Sequence, residues 1–467
     1  MDAISPPTYE ELVDLTRRQS RQIDELRAEV ERLKAELEQS RRAGKRQAAP
    51  FSEGSPRADP KRPGRKPGHP PSHRPIPPPG QVDRTIEVSL PPDCPECHTP
   101  LGEAPVTIHD QYQIDLPEPK PVVTRFRVPV TRCPSCRRRV QGRHAEQISD
   151  ALGSAAIQYG PRLLGLAADL KHRLGVSYRK CSSVLLTLTG VVVASAALVR
   201  SSHRLGKLAQ PSYDRLVEAA RKSAVQQVDE TGWKIGGRSA WLWVFADEHA
   251  TLYRIRPSRA HEVVVEVLGE GFAGVLVSDC FLAYDPLPFS KQKCLAHLLK
   301  TCGEIERSKT RAAVRFSRRV AALLRKAMAL KRRRADLSPH GYAVARGRLH
   351  AELDRLLAGN LTDPDNARLA KRLRKHQAHL LNFLDHDGLD ATNTLAEREI
   401  RPAVIARKLS AGNRTEAGAE THAVLASVLR TCRRQGLDVL QSVGELLRHG
   451  PGSLIPFPHI QAGSSKS

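Results

Sequence analysis

Between residues 8 and 40 the apolar positions return in steps of four and three. Leu12, Thr16, Gln19, Ile23, Leu26, Val30, Leu33 and Leu37 occupy them, and Glu, Arg and Lys fill most of the other places. That period is a heptad seam. It predicts a helix over 8–40 whose apolar edge pairs two copies of the chain as a coiled coil. A single amphipathic helix folded back on its own domain is the alternative. Residues 155–215 also carry helical spacing, with helices over Arg162–Leu174, Tyr178–Thr189 and Val193–Leu205. Gly175-Val176-Ser177 makes the first turn, with Ser177 placed as an N-cap. These helices form either a helix-turn-helix, whose second helix would enter a DNA major groove, or a plain bundle against the neighbouring domain.

From 222 to 300 the pattern shortens. Val225–Asp229, Ala240–Ala246 and Thr251–Ile255 read as an antiparallel meander, its first turn at Gly236-Gly237. A helix over Ala260–Gly269 follows, and then Gly274–Asp279 reads as a fourth strand. Residues 303–385 are helical almost throughout, 390–448 are helical with a break near Gly412, and the tail at 450–467 is irregular.

The order β-β-β-α-β, with Asp229 and Asp279 closing its first and fourth strands, is the ribonuclease-H-like layout. Neighbouring parallel strands would set the two carboxylates side by side. Phosphoryl chemistry with two Mg²⁺ ions about 4 Å apart needs a third acid. Mg²⁺ takes oxygen ligands and keeps several waters, so few protein ligands suffice. In the segment from Ala391 to Pro402, Asn393 opens a helix, and Asn393, Glu397 and Arg401 share one face at i, i+4 and i+8. Glu397 is therefore the third ligand, Glu399 the runner-up, and Arg401 is placed to meet a phosphate.

Charge changes the picture next. The chain has 74 Lys and Arg against 50 Asp and Glu, a net charge of +24. A polyanion is the partner such a balance implies, because each neutralised phosphate releases counterions. The charge is concentrated. Residues 307–350 hold 14 Lys or Arg and a single acid, Asp336. This stretch reads as a phosphate clamp on double-stranded DNA, formed by Arg318, Arg319, Lys331, Arg332, Arg333 and Arg334. Residues 41–80 hold ten Lys or Arg, two acids and eleven Pro, a linker too poor in apolar side chains to fold alone. Arg65 and Lys66 within it read either as a minor-groove arm or as part of a solvated tether.

Nine cysteines, an odd number, and an N-terminal sequence without a signal-peptide pattern point to a reducing cytoplasm. Cysteine pairs there are metal ligands rather than disulfides. Cys94-Pro-Glu-Cys97 and Cys133-Pro-Ser-Cys136, 35 residues apart, are two knuckles able to close four thiolates on one structural Zn²⁺. The intervening segments, alternating in character, predict strands and a β module over 82–145. Cys294 and His297 have the spacing of metal ligands but read better as a strand-end pair supporting the acids. Cys181–Val199 is 19 residues without a charge. It reads as two buried helices broken at Gly190, the alternative being a membrane span.

Taken together, these segments resemble the insertion-sequence-66-type transposases of the DDE class. The coiled coil, basic linker and double CxxC module carry the likeness. So do Val228-Asp-Glu-Thr-Gly, Ser278-Asp279, Cys294-Leu-Ala-His297, and Asn393 to Pro402 followed by Arg407-Lys408. The resemblance implies that Asp229, Asp279 and Glu397 are the catalytic triad. It also implies a helical insertion among the 117 residues between the second Asp and the Glu, and small companion proteins as partners. The chain departs from the family at Leu295, where an aromatic is usual, at Leu298-Leu299-Lys300, where two Arg are usual, and at Thr394, often an Asn.

The sequence thus predicts an α/β protein. Its ribonuclease-H-like core (222–300 and 390–448) is interrupted by a helical insertion (303–385), and a zinc module, a helical segment and a homodimeric coiled coil precede the core. The predicted function is a DNA transposase of the bacterial cytoplasm and nucleoid. It would cut and join DNA ends with two catalytic Mg²⁺ and would hold one structural Zn²⁺. The alternative is a catalytically silent DNA-binding regulator derived from such an enzyme.

Overall fold

The computed structural model describes residues 9–45, 74–102, 106–117 and 120–460. The chain divides into two compact units, Met1–Leu116 and Pro117–Ser467.

In the first unit, helix α1 (Tyr9–Lys45) covers the heptad segment. Ile23, Leu26, Val30 and Leu33 on its seam are exposed. Arg65 and Lys66 lie outside the described residues. The first knuckle is a tight turn in which Cys94 N–H donates to the Thr99 carbonyl (2.9 Å) and His98 N–H to the Cys94 carbonyl (2.9 Å). Of the β module expected over 82–145, the strands lie at its C-terminal end, Val130–Arg132 and Arg139–Gln141. Among the described residues of 82–129 there is no strand, and Ile108, Ile114, Leu116, Val122 and Val123 are exposed. The alternation that suggested strands is present, but an extended segment becomes a strand only where a neighbour takes up its backbone hydrogen bonds.

The second unit opens with a two-stranded ribbon, β1 (Val130–Arg132) and β2 (Arg139–Gln141), around the second knuckle. Helix α2 (Pro161–Ala168) begins on a proline, which supplies a preset φ and lacks an N–H that would be unpaired there anyway. It continues as one π-helical stretch, Asp169–Arg173. Ser177 caps α3 (Tyr178–Thr189), accepting from Lys180 N–H, and Gly190 ends it at φ 67°. The third helix, α4 (Ser195–Lys222), is much longer than its pattern suggested and runs on past Pro211. The uncharged stretch is thus two helices, and no helix among the described residues is long and apolar enough to cross a membrane.

The central sheet follows. β3 (Val225–Ile235) pairs antiparallel with β4 (Arg238–Ala246), which pairs antiparallel with β5 (Thr251–Arg256). After α5 (Glu262–Leu268), β6 (Val275–Ser278) joins β3 in parallel, and β7 (Ser290–Lys293) joins β6 in parallel. The order is β5-β4-β3-β6-β7. Asp229 does not close its strand as expected. β3 continues six residues beyond it because β4 keeps pairing to Ile235, whereas the pairing with β6 stops at Gln227.

Both faces are covered, so β4 buries Leu242 and Val244 on one side and Trp243 and Phe245 on the other. Trp243 and Phe245 join the cluster made with α4, α5, α11 (Glu416–Arg434) and α12 (Val439–His449). Leu242 and Val244 meet the alanine face, Ala396, Ala403 and Ala406, of α10 (Thr394–Ser410). Gly206 on α4 sits so close to α11 that a Cβ would lie 3.2 Å from the Thr421 methyl. The insertion α6 (Leu295–Ser308), α7 (Arg315–Arg332), α8 (Pro339–Leu357) and α9 (Pro364–Lys375) has its own core, which also covers Val275 and Val277 of β6. Residue 303, the expected start of the insertion, falls within α6. The tail, irregular as expected, is packed: Ile455, Phe457 and Ile460 are buried in the main cluster.

Candidate active site

The strand register brings the two aspartates together. Val225, Gln226 and Gln227 face Val275, Leu276 and Val277, a constant offset of fifty residues. Carried two positions past the last pair, that offset matches Asp229 with Asp279. The Asp229 carboxylate accepts its neighbour's backbone N–H, from Glu230, at 2.9 Å, and Asp279 accepts from Phe281 N–H at 2.9 Å.

Glu397 comes from a different element, and β3 fixes where that element begins. The Gln227 side-chain oxygen accepts from Leu395 N–H (3.0 Å) and Ala396 N–H (3.4 Å), two of the groups a helix start leaves unpaired. Asn393 is the residue before α10, as its spacing predicted, but its side chain caps nothing there. It donates instead to the Val228 carbonyl at 2.8 Å, while its backbone N–H reaches the Cys294 sulfur at 3.2 Å. Its Oδ1 is buried without a partner. Farther along α10, Arg407 donates to the Thr231 hydroxyl (3.1 Å) and the Gly232 carbonyl (2.6 Å). At the helix end, Gly412, at φ 110°, lets the chain pass Lys234, where a Cβ would meet the Lys234 carbonyl at 2.3 Å. Helix and strand are therefore tied at both ends, with Glu397 in the first turn.

The acids repel one another. Burial first, then the charges of Glu230, Asp279 and Glu397, push Asp229 up to about 7. Glu230, part of the same motif, faces elsewhere: it accepts from Arg259 at 2.8 Å and from the Tyr284 hydroxyl. Arg259 lies over the rings of Trp241 and Phe281. Lys293 is fully buried and donates to the Asp279 carbonyl (3.0 Å) and the Ser278 hydroxyl (3.2 Å). Burial lowers its pKa. Gln227, Lys293, Tyr284 and Arg259 were not singled out from sequence. Lys293 stands beside Cys294 in the motif, but nothing in the sequence says that its ammonium turns inward.

Glu399, the runner-up, is excluded as a partner of the aspartates by its own contacts. It is buried and accepts from Arg430 Nε at 2.6 Å and from the Thr251 hydroxyl at 3.1 Å. Burial works to raise its pKa, but the Arg430 hydrogen bond and charge prevail and lower it. Cys294 and His297 reach the acids: His297 Nδ1 is 3.7 Å from Glu397 Oε1. A hydrogen bond to the Cys294 sulfur leads in raising His297 to about 9; burial opposes it, and the nearby carboxylates add to it. Arg401 is exposed on α10.

Of the clamp residues, Arg318, Arg319, Arg332 and Arg333 are exposed. Lys331 is drawn inward, donating to the Phe383 carbonyl at 2.7 Å and to the His386 carbonyl. Arg334 pairs with Asp387 and lies over Tyr342. The Phe383 and His386 carbonyls draw Lys331 inward, and the Asp387 carboxylate draws Arg334. The knuckles repeat one geometry. Cys133 N–H donates to the Arg138 carbonyl (2.8 Å) and Arg137 N–H to the Cys133 carbonyl (2.9 Å), as at Cys94, with φ of 57° at His98 and 59° at Arg137.

The sequence model of the Transposase IS66 family matches residues 156–421, more than half of the chain. The chain belongs to that family. Uncharacterized protein y4qI of Sinorhizobium fredii (strain NBRC 101917 / NGR234) is similar to it, 26% identical over 412 residues that span 79% of this chain and 72% of that protein.

Proposed function

We propose that this chain is a DDE transposase that cuts and joins DNA at the ends of an insertion sequence, with Asp229, Asp279 and Glu397 as its metal-holding acids. The observation that carries this reading is the register match of Asp229 with Asp279, together with the side-chain ties from Gln227 and Asn393 at the start of α10, three residues before Glu397. The strand order supports a ribonuclease-H-like core. The donor set fits Mg²⁺, since all three side chains offer carboxylate oxygen, and burial with the charges of Glu230, Asp279 and Glu397 raises Asp229 toward neutrality, an effect that a divalent cation relieves. When bound, two Mg²⁺ would activate the attacking oxygen and stabilise the leaving 3′ oxygen.

The chain's own residues do the rest. Lys293 holds the Asp279 backbone, Gln227 and Asn393 aim Glu397, and Arg401 and the exposed arginines of α7 take DNA phosphates, which positions the duplex without reading its sequence. Each knuckle folds its own two cysteines into one tight turn, Cys94 with Cys97 and Cys133 with Cys136, a shape that suits a pair of Zn²⁺ ligands. The exposed seam of α1 supports a homodimer, which would bring two DNA ends together. A DNA substrate places the work at the nucleoid, with small companion proteins as partners.

The test uses a linear fragment carrying this gene and its native flanks. Purified protein and Mg²⁺ are added, new 3′ ends are mapped by sequencing, and Asp279→Asn is run in parallel. Breaks at a pair of inverted repeats that vanish in the variant are expected. DNA bound but intact with both proteins would overturn the enzyme in favour of a silent DNA-binding regulator.

A further inference from the structure

Cys294, His297 and Glu397 converge at the mouth of the acid cluster. One ligand atom from each lies within 4.8 Å of the others. Cys294 immediately precedes α6, His297 is on the first turn of that helix, and Glu397 is on the first turn of α10. The two helix starts are joined here by the Leu295 N–H bond to the Ala391 carbonyl (2.9 Å) and by the Asn393 N–H bond to the Cys294 sulfur. The backbone therefore holds the two helix starts, and with them the three donors, beside one another.

The donor set is specific. Sulfur, imidazole nitrogen and carboxylate oxygen suit Zn²⁺ and suit Mg²⁺ poorly, since Mg²⁺ takes oxygen ligands. With bonds of about 2.0 Å from zinc to nitrogen and oxygen, tetrahedral angles set those two donors about 3.3 Å apart. The 3.7 Å between His297 Nδ1 and Glu397 Oε1 is close to that spacing. Cys294 closes the inner side, being fully buried. The side chains of His297 and Glu397 are 46% and 35% exposed, which leaves an open side for the ion and for water as fourth ligand.

We propose that Cys294, His297 and Glu397 form a site for a thiophilic divalent cation of the zinc type, and that filling it withdraws the Glu397 carboxylate from Asp229 and Asp279. Binding releases the Cys294 thiol proton to solvent. One carboxylate then serves two exclusive arrangements, so zinc opposes Mg²⁺-dependent cleavage. The competition, though not the binding site, rests on the transposase reading above.

The test strips the full-length chain with chelator and titrates it with Co²⁺, following bound equivalents by dialysis and thiolate-to-cobalt absorption by spectroscopy. Wild type, Cys294→Ser and His297→Ala are compared; the knuckle cysteines are the same in all three. Wild type is expected to take up one equivalent more than either variant. Equal uptake by all three overturns the site, and the half-exposed His297 guards against a cysteine variant that does not fold. In the cleavage assay, Zn²⁺ is expected to suppress Mg²⁺-dependent product from the wild type. Cleavage undiminished with the extra equivalent bound overturns the competition. An extra equivalent on a chain that never cuts DNA supports the site and sinks the transposase reading instead.

Discussion

The two sides of α10 carry the same kind of side chain under opposite conditions. Glu399 faces inward, and Arg430 and the Thr251 hydroxyl satisfy it. On that side also lie the buried pair His172 and His422, whose Nδ1 atoms are 3.2 Å apart, in a cavity lined by Pro402, Ala403 and Ala406. Glu397, two residues earlier, faces Asp229, Asp279 and His297. A carboxylate surrounded by donors holds a fold together. A carboxylate set among other acids works against the fold, and its place is explained by what it can bind.

Exchanging each acid for its amide breaks this comparison most sharply. Glu397→Gln is expected to bring DNA cleavage to background while unfolding free energy stays within about 1 kcal/mol of wild type, since the 3.7 Å pair with His297 that it loses is partly exposed. Glu399→Gln should do the reverse, removing about 3 kcal/mol of stability because Arg430 is left uncompensated, with the chemistry of the surviving folded protein unchanged. Urea unfolding beside the end-mapping assay reads both. If the losses are exchanged, the assignment of the two acids is wrong.

Asn393→Ala comes next. The Val228 carbonyl loses its side-chain donor, a cost of about 1–3 kcal/mol for a buried polar group. Cleavage at constant folded fraction should fall as well, since the start of α10 is no longer pinned beside Asp229. A variant that loses stability alone would make Asn393 only a packing residue.

The inward side also predicts a pH dependence. Burial, with the Lys171 charge, lowers His422 from 6.5 to about 3, and burial, with the neighbouring cations and rings, lowers His172 well below its usual value. Below about 6.5 the unfolded chain takes up protons that the folded chain refuses. The stability present at pH 7 is therefore lost progressively as the pH falls from 6.5 toward 3. Melting temperatures between pH 7 and 5 should fall less steeply for His422→Phe, and parallel curves would count against the pair. The smallest effect belongs to the clamp. Arg318→Ala and Arg319→Ala together should reduce the slope of log affinity against log salt by up to about 0.9 for each phosphate no longer neutralised, whereas Arg334→Ala should leave that slope alone.

The parts of this arrangement that were legible in the sequence are those dictated by local period. The extents of α3 and β4 and the capping role of Ser177 follow from spacing and composition alone. The shared face of 393, 397 and 401 on α10 was legible in the same way. What escaped depends on partners distant in the chain. The alternating residues around Ile108 and Val122 looked like strands, yet alternation specifies a strand only when another strand accepts it. Asp229 looked like a strand end because the short apolar run before it stops there, while pairing with β4, invisible to local spacing, carries β3 onward. Gln227 and Lys293 are polar residues with polar neighbours on their strands, and only the assembled sheet shows their side chains reaching a helix start and a carbonyl.

The Leu295–Ala391 hydrogen bond marks where the insertion leaves the sheet and where it returns. The two points are neighbours, so the intervening chain closes a loop whose ends are already held. Lengthening such a loop costs little, because closure entropy grows only with the logarithm of its length. The helical insert is in effect a cassette: its basic surface can be traded for another, to grip a different duplex, while the acids stay where the strands put them.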